Sequence, residues 1–143
     1  MFDSICVVCV GNICRSPIGE RLLKKDFPEK KISSAGIAAV VGDSAFCKSE
    51  SVAEQNGLSL DGHIARQLTR KICAEQDLIL VMEKSHIDAV CRIAPEVRGK
   101  VMLYGHWLNE MEIPDPYGGD IELFEKTYIQ LAKASKAWAE KLK

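Results

Sequence analysis

The chain has 143 residues, the size of one ordinary domain, and its formal charge of -1 is close to neutral. Hydrophobic residues make up 47% of the chain and charged residues 27%, which is usual for a globular protein that buries its own core. So small a net charge gives no reason to expect nucleic acid or an anionic membrane as a partner.

The sequence contains no sign of a membrane segment. No apolar run approaches the roughly 18 residues that a membrane-spanning helix needs. The N-terminal apolar run is short, and Asp3 lies where a signal peptide would be basic, so we expect a cytoplasmic protein. Disulfides are therefore not required by the six cysteines. We expect no metal or other cofactor, because Cys6 and Cys9 have no second close cysteine pair to complete a zinc site.

The first predicted element is a buried strand, because Ile5-Cys6-Val7-Val8-Cys9-Val10 is a nearly continuous apolar run. A helix is predicted directly behind it, with Ser16 suited to the N-cap and Pro17 to the first helical position. The turn between them is formed by residues 9–16, Cys-Val-Gly-Asn-Ile-Cys-Arg-Ser, which we call the cysteine loop.

The cysteine loop has the composition of an anion site. Backbone N–H groups and the helix dipole favour negative charge at a helix N-terminus. Gly11 lets the backbone turn closely, and Asn12 tolerates a left-handed conformation. Arg15 can hold two oxygens of a tetrahedral oxyanion with its planar guanidinium. The same positive field favours Cys9 as a thiolate, to which Ser16 can donate a hydrogen bond, and such a thiolate is a nucleophile aimed at phosphorus.

Farther along, short apolar runs alternate with helical patterns. A second strand is predicted over residues 31–36. The loop behind it, residues 37–43, begins with five apolar residues, and we call it the aliphatic loop. From the residues alone, this loop either forms a wall for an aromatic substrate ring or folds into the core. Two further strands are predicted, at residues 77–82 and 99–104. Four further helices are predicted, at residues 44–56, 68–76, 85–93 and 121–142, with Gly57 as the C-terminal cap of the first and Thr69 as N-cap of the second.

This alternation predicts one α/β domain over residues 1–143, with about four mostly parallel strands in a twisted sheet flanked by helices. In such sheets, ligands bind beyond the carboxyl ends of the strands, where the strand order reverses. The cysteine loop follows the first strand and lies at that kind of position, so we expect phosphate to bind there.

A second candidate feature is residues 113–119, Ile-Pro-Asp-Pro-Tyr-Gly-Gly, which we call the acid loop. Cleavage of a phosphate monoester needs a proton at the leaving oxygen, and a carboxylic acid can supply it. Prolines on both sides fix the backbone around Asp115. A turn in which Asp115 merely caps the last helix is the alternative, because Asp-Pro is a common turn dipeptide.

Together, Cys-x5-Arg-Ser near the N-terminus and Asp-Pro-Tyr before the last helix resemble the low-molecular-weight protein tyrosine phosphatases. Ser33-Ser34-Ala35-Gly36 and His63-x-Ala65-Arg66 match that family too, so the resemblance covers essentially the whole chain. Phe2, Gly105-His106-Trp107 and the short aliphatic loop are similar to the bacterial members that act in capsule and exopolysaccharide production.

The resemblance implies a phosphotyrosine-protein phosphatase with Cys9 as nucleophile, Arg15 as phosphate clamp and Asp115 as general acid. It further implies metal-free hydrolysis through a phosphocysteine intermediate. The residues implied to bind phosphate are those of the cysteine loop: Val10, Gly11, Asn12, Ile13, Cys14, Arg15 and Ser16. The side chains implied to support this loop are Asn12, Ser16, Ser34 and His63.

The sequence departs from the family near the expected substrate ring. Gly118 stands where many members carry a second tyrosine, and Val40 and Val41 stand where eukaryotic members carry an aromatic residue. The wall for the ring is then Ile37, Val40, Val41 and Tyr117. The substrate preference of the eukaryotic members therefore does not carry over to this chain.

Two other functions are alternatives. Thioredoxin-linked arsenate reductases use the same Cys-x5-Arg loop but pass oxidation to a cysteine pair after a central strand. Here the stretch Leu80-Val81-Met82-Glu83 has no cysteine, and Cys91 lies in a predicted helix without a close partner. A module that only binds phosphotyrosine would have no use for Cys9, Arg15 and Asp115 together.

Two expectations concern regulation and partners. Cys14 follows Cys9 by five residues, so a disulfide between them could protect the nucleophile from over-oxidation, or Cys14 is a passive small residue. The resemblance implies that the phosphoprotein partner is a membrane-bound bacterial tyrosine autokinase, dephosphorylated on its cytoplasmic tyrosine-rich tail.

Overall fold

A sheet of four parallel strands forms the centre of this protein, for which a computed structural model describes residues 2–143. The strands are β1 (Ser4–Cys9), β2 (Lys31–Gly36), β3 (Leu78–Val81) and β4 (Val101–Leu103), in the order β2-β1-β3-β4. The predicted α/β class with a four-stranded parallel sheet is therefore confirmed. Because β1 lies between β2 and β3, the strand order reverses at the carboxyl end of β1.

Helices cover both faces of this sheet. Those of the described residues are α1 (Arg15–Asp26), α2 (Cys47–Gln55), α3 (Arg70–Ala74), α4 (Lys84–Ile93) and α5 (Ile121–Leu142), with a 3-10 helix at Pro95–Lys100. Helices α1, α2 and α5 pack on one face, and α3, α4 and the 3-10 helix pack on the other. No helix among residues 2–143 has the length and apolar character needed to cross a membrane.

The side chains of β1 divide between the two cores, as the alternation of a strand requires. Val7 and Cys9 lie in the core under α1 and α5, whereas Cys6 and Val8 lie in the core under α4. Both faces of β1 are thus buried, which explains why its sequence is continuously apolar rather than alternating.

Three predicted helix starts are wrong. Helix α3 begins at Arg70 rather than residue 68, and the other two errors arise near the cysteine loop. Helix α1 begins at Arg15, and its N-cap is Cys14 rather than Ser16, because the Ser16 hydroxyl is bound by side chains of the loop. Helix α2 begins at Cys47 rather than residue 44. The N–H of Phe46 donates to the Ile13 carbonyl at 2.8 Å, which keeps this approach to α2 extended.

Other helix ends agree with the predicted signals. Thr69 caps α3 by accepting a hydrogen bond from the Ile72 N–H at 3.2 Å, and Gly57 follows α2 with a φ of 77°. Asp120 caps α5 by accepting from the Leu123 N–H at 3.1 Å. The last helix therefore has an N-cap of its own, and it does not use Asp115.

Candidate active site

The cysteine loop leads from the end of β1 at Cys9 to the start of α1 at Arg15. The carbonyl groups of residues 9–13 all accept hydrogen bonds from outside the loop, at 2.6 to 3.1 Å. The donors are the N–H groups of Ile37, Ala38, Val40 and Phe46 and the ring of His63. Within residues 2–143, the N–H groups of residues 10–14 donate no hydrogen bond. The loop therefore offers its amide groups to an anion at the N-terminus of α1.

Asn12 holds the loop in this shape from a completely buried position. Its φ of 59° lies in the left-handed region, which non-glycine residues rarely adopt. Its Oδ1 accepts from the Arg66 N–H at 2.9 Å, and His63 donates to its carbonyl at 2.6 Å. Its Nδ2 donates to the hydroxyl groups of Ser16 at 2.8 Å and Ser34 at 3.0 Å. The four side chains expected to support the loop therefore meet at one point.

This network fixes the direction of the Ser16 hydroxyl. The Arg66 N–H can only donate, so the oxygen of the Asn12 amide faces it and the NH2 group faces Ser16. Ser16 must then accept from Asn12, and its own proton is directed to Cys9 Sγ, 3.0 Å away. The sulfur of Cys9, a residue that is 2% exposed, thus receives a hydrogen bond that stabilises its thiolate form.

Arg15 is 1% exposed, yet it lies at the floor of an open cleft. Its Nη1 donates to the Glu83 carboxylate at 2.8 Å and to the Ile113 carbonyl at 2.9 Å. Its Nε has no partner within the described residues, and its Nη2 is 3.7 Å from the Asp115 carboxylate. One side of the guanidinium is thereby anchored, and the other side is free to bind two oxygens of an oxyanion.

Glu83 anchors Arg15, and it is not among the site residues predicted from the sequence. A signal was available, because Glu83 follows β3 closely and the carboxyl ends of β1 and β3 lie side by side. His86 shares this carboxylate, with its Nε2 3.3 Å from Glu83 Oε2. Burial, and next the Arg15 guanidinium, lower the pKa of His86, which disfavours a second cation beside Arg15.

Above Cys9 and Arg15 the cleft has a volume of about 430 Å³. Its walls are mainly apolar, and the side chains that form them are Val10, Ile13, Ala38, Val40, Phe46 and Tyr117. The rings of Phe46 and Tyr117 are in contact, with centroids 5.2 Å apart. This apolar space above the cysteine loop has the shape and polarity to bind an aromatic ring that carries a phosphate.

Two residues of the expected wall do not line the cleft. Ile37 continues the alternation of β2, so its side chain lies on the same side as Ala35 and packs against the core under α4. Val41 is 67% exposed and lies outside the cleft lining. Val40 and Tyr117 do line it, and Phe46, which the sequence reasoning overlooked, takes the remaining place because of its tie to the cysteine loop.

Asp115 reaches the same cleft from the acid loop. Its Oδ1 accepts a hydrogen bond from the Tyr117 N–H at 3.0 Å, which orients the carboxylate, and Oδ2 faces Arg15. The side chain is 46% exposed, as a group that exchanges protons with solvent requires. The alternative in which Asp115 caps the last helix is wrong, because Asp120 holds that position.

Cys14 also lines the cleft, on the same loop as Cys9. Burial, and next the neighbouring Cys9 and Asp115, raise the pKa of the Cys14 thiol to about 12. Cys14 is therefore a neutral thiol at ordinary pH. Among residues 2–143, no group of three or more histidine, cysteine, aspartate or glutamate side chains could hold a metal ion.

Comparison with known proteins gives one consistent match. The sequence model of the family described as low molecular weight phosphotyrosine protein phosphatase matches residues 4–143. The chain is 56% identical to the probable low molecular weight protein-tyrosine-phosphatase AmsI of Erwinia amylovora over 142 residues, which is 99% of each chain. It is 55% identical over 142 residues to Wzb of Escherichia coli K12, covering 99% of this chain and 97% of that one.

Solved structures agree with these sequences. The tyrosine phosphatase Wzb from Escherichia coli K30, in complex with sulphate, superposes with a TM-score of 0.98 at 56% identity, and all of both chains is covered. By its sequence, its fold and the matching family model, the chain belongs to the low molecular weight phosphotyrosine protein phosphatases.

Proposed function

We propose that this protein hydrolyses phosphotyrosine in proteins, with Cys9 as nucleophile and without a metal ion. The observation that carries the proposal is that the Cys9 sulfur, the free edge of the Arg15 guanidinium and the Asp115 carboxylate all border one cleft. A module that only binds phosphotyrosine could use the Arg15 guanidinium, but it needs neither a nucleophilic sulfur nor an oriented, half-exposed carboxylic acid.

In the first step, the Cys9 thiolate attacks phosphorus and the bond from phosphorus to the tyrosine oxygen breaks. Protonated Asp115 gives its proton to the departing oxygen, so the product leaves as a neutral phenol. The amide groups of residues 10–15 and the Arg15 guanidinium bind the other three phosphate oxygens and stabilise the charge of the transition state. The intermediate is a phosphocysteine on Cys9.

In the second step, water attacks the phosphocysteine and the bond between sulfur and phosphorus breaks. Asp115, now a carboxylate, takes the proton of the attacking water and returns to its starting form. Inorganic phosphate leaves, and Cys9 is again a thiolate, held by the Ser16 hydroxyl 3.0 Å away. The cycle needs no redox partner and no ion.

Arsenate reduction is the competing chemistry, and the positions of the cysteines argue against it. A reductase must pass an oxidised Cys9 to a further pair of thiols. Cys73 packs in the core on the opposite face of the sheet from Cys9, and Cys91 is buried in α4. Among the described residues that line the cleft, Cys14 is the one cysteine besides Cys9, so the cleft lining holds no pair of thiols to which Cys9 could pass its oxidation.

A second part of the proposal concerns the protein substrate and the place in the cell where this protein acts. We propose that the substrate is the cytoplasmic tyrosine-rich tail of a membrane-bound bacterial tyrosine autokinase in capsule or exopolysaccharide production, and that the protein acts in the cytoplasm. The support is the resemblance of the chain to the bacterial members of the family. Two measurements would test this assignment. The purified protein should dephosphorylate such a tail, and the tail should keep its phosphotyrosine in cells that lack the protein.

The test of the reaction is phosphate release from a phosphotyrosine peptide at mildly acidic pH with chelator present. We expect turnover by the wild-type protein and none by Cys9→Ser, and no turnover of the matched phosphoserine peptide, which lacks a ring to fill the apolar walls. Absence of turnover by the wild type would reject the proposal. A thioredoxin-coupled arsenate assay and a phosphotyrosine-binding assay would then follow.

A further inference from the structure

A second carboxylate, that of Asp43, lines the same cleft as Asp115. It belongs to the aliphatic loop and is exposed to solvent. Its backbone is held on both sides, because its N–H donates to the Val40 carbonyl at 3.1 Å and its carbonyl accepts from the Ala65 N–H at 2.8 Å. The Asp43 side chain is thus presented at the cleft from a fixed backbone position.

Within the described part of the chain, the side chain of Asp43 differs from those of the other acidic residues around the site in having no partner. Glu83 is bound to Arg15 at 2.8 Å, and Glu20 accepts a hydrogen bond from Ser34 at 2.6 Å. Asp115 is oriented by the Tyr117 N–H. Within residues 2–143, the Asp43 carboxylate forms no ion pair and no hydrogen bond. Its charge is therefore available to a bound molecule.

Binding of a substrate changes the balance of charge in the cleft and leaves the Asp43 carboxylate without a nearby free cation among the described residues. Arg15 is the one cation among the described residues that line the cleft, and a bound phosphate group would neutralise it. Lys48, at the start of α2, is occupied elsewhere: its ammonium group donates to the Gly119 carbonyl at 2.8 Å and lies 5.8 Å from the centroid of the Phe124 ring. Besides Arg15, the charged residues that line the cleft are therefore the two carboxylates of Asp43 and Asp115.

We propose that Asp43 is a specificity-determining residue that favours phosphotyrosines flanked by lysine or arginine and disfavours those flanked by aspartate or glutamate. The inference rests on the proposed phosphatase activity and adds the chemical class of the preferred protein segment. Asp43 lies at the rim and not at the floor with Cys9 and Arg15, so it acts on the flanks of the substrate and not on the phosphate transfer.

The experiment compares kcat/KM for three phosphotyrosine peptides whose two residues on either side are lysine, alanine or glutamate. An exposed ion pair changes such a ratio by about two- to fivefold. We expect the lysine peptide to be favoured over the glutamate peptide by the wild type. Asp43→Asn should reduce the ratio by that factor, and Asp43→Lys should reverse the preference. The preference should fade in 1 M salt, where the screening length is about 3 Å.

Two controls separate this local effect from other causes. A small aryl phosphate without flanking residues should react at the same rate with wild type and Asp43→Asn, because the change keeps the backbone hydrogen bonds of Asp43. Asp61→Asn removes the same charge from a different cavity, lined by Glu50 and Glu54, and should leave the peptide ratio unchanged.

The outcomes distinguish this inference from the proposed function. Turnover of all three peptides with a ratio that Asp43→Asn does not alter would overturn the role of Asp43 and leave the phosphatase activity intact. An equal shift in Asp61→Asn would also overturn it, since the cause would then be overall charge. Failure of the wild type to hydrolyse any phosphotyrosine peptide or aryl phosphate would overturn both.

Discussion

At the scale of single residues, the site works through fixed hydrogen-bond directions. The Arg66 N–H orients the Asn12 amide, and the Asn12 amide in turn orients the Ser16 hydroxyl toward Cys9. A buried thiolate needs such donors, because burial alone would favour the neutral thiol. Asp115 is oriented in a comparable way, by the Tyr117 N–H, but it remains half-exposed and can exchange its proton.

Asp115→Asn should lower kcat for phosphotyrosine by roughly 10²–10⁴, because the amide cannot protonate the departing oxygen. The loss should be smaller for an aryl phosphate whose phenol is a good leaving group, since that bond breaks with less help from an acid. Steady-state kinetics with both substrates measures the difference. A loss of less than tenfold with phosphotyrosine would remove Asp115 from the role of acid.

Cys14→Ser should change the recovery of the enzyme from peroxide. Peroxide oxidises the Cys9 thiolate to a sulfenic acid, and attack by the Cys14 sulfur then gives a disulfide and water. The burial that raises the pKa of Cys14 to about 12 protects Cys14 from direct oxidation but slows this closure. We expect added thiol to restore activity to wild type and to restore much less to Cys14→Ser. Equal recovery of the two proteins would show that Cys14 is passive.

At the scale of elements, the cysteine loop depends on the turn that follows β2. The two segments touch at Gly36, where a Cβ atom would lie 2.5 Å from the Val10 carbonyl oxygen. The amide groups of the residues after Gly36 hold the carbonyls of the loop. The aliphatic loop and the cysteine loop are therefore one structural unit, although the two are separated along the chain by α1 and β2.

Gly36→Ala should lower the free energy of unfolding by about 1–3 kcal/mol, because the added methyl group forces a backbone carbonyl aside. It should also lower kcat/KM, since the displaced carbonyl, that of Val10, belongs to the cysteine loop. Urea denaturation and phosphatase kinetics measure the two effects. Gly99→Ala is the matched control, because a Cβ atom there meets nothing within 4 Å. If both variants behaved like wild type, the close contact at Gly36 would be unimportant.

At the scale of the whole molecule, the sheet order joins parts that are far apart in sequence. Arg15 and Glu83 are 68 residues apart, and Arg15 and the Ile113 carbonyl are 98 residues apart. They meet because β1 and β3 are neighbours with their carboxyl ends at one edge. His86 is buried beside this pair, and because burial lowers its pKa, protonation of His86 reduces the stability of the folded state.

The stability of the protein should fall as the pH is lowered from 7 to 5, in part because of His86. Burial lowers its pKa in the folded state, whereas an unfolded histidine titrates near pH 6.5. Below that pH the unfolded state binds more protons than the folded state, so the free energy of unfolding decreases until the pH falls below the folded pKa.

Urea midpoints measured across this range for wild type and His86→Gln test the claim. The variant should lose less stability between pH 7 and 5 than the wild type. His106→Gln controls for the loss of a histidine outside the site and should keep the wild-type slope. Parallel curves for wild type and His86→Gln would contradict the assignment.

Much of the architecture followed from local patterns. The apolar run of β1 predicts a strand buried on both faces, and Thr69 and Gly57 marked helix ends correctly. The prediction that Ser16 is an N-cap was wrong because its hydroxyl is hydrogen-bonded to Cys9 and Asn12. A capping signal reflects only the preference of a residue type for a helix end, so it cannot show that other side chains bind the same hydroxyl.

The sequence by itself determined the fold class and the reactive loop, because strand burial, a helix N-terminus and an adjacent Cys-x5-Arg-Ser depend on neighbouring residues. The tertiary structure decided which distant side chains complete the site. Glu83 anchors Arg15, Phe46 replaces Ile37 in the cleft wall, and Asp43 stands free at the rim. These contacts depend on strand order and on the face to which each side chain points, and both are fixed only when the whole sheet packs.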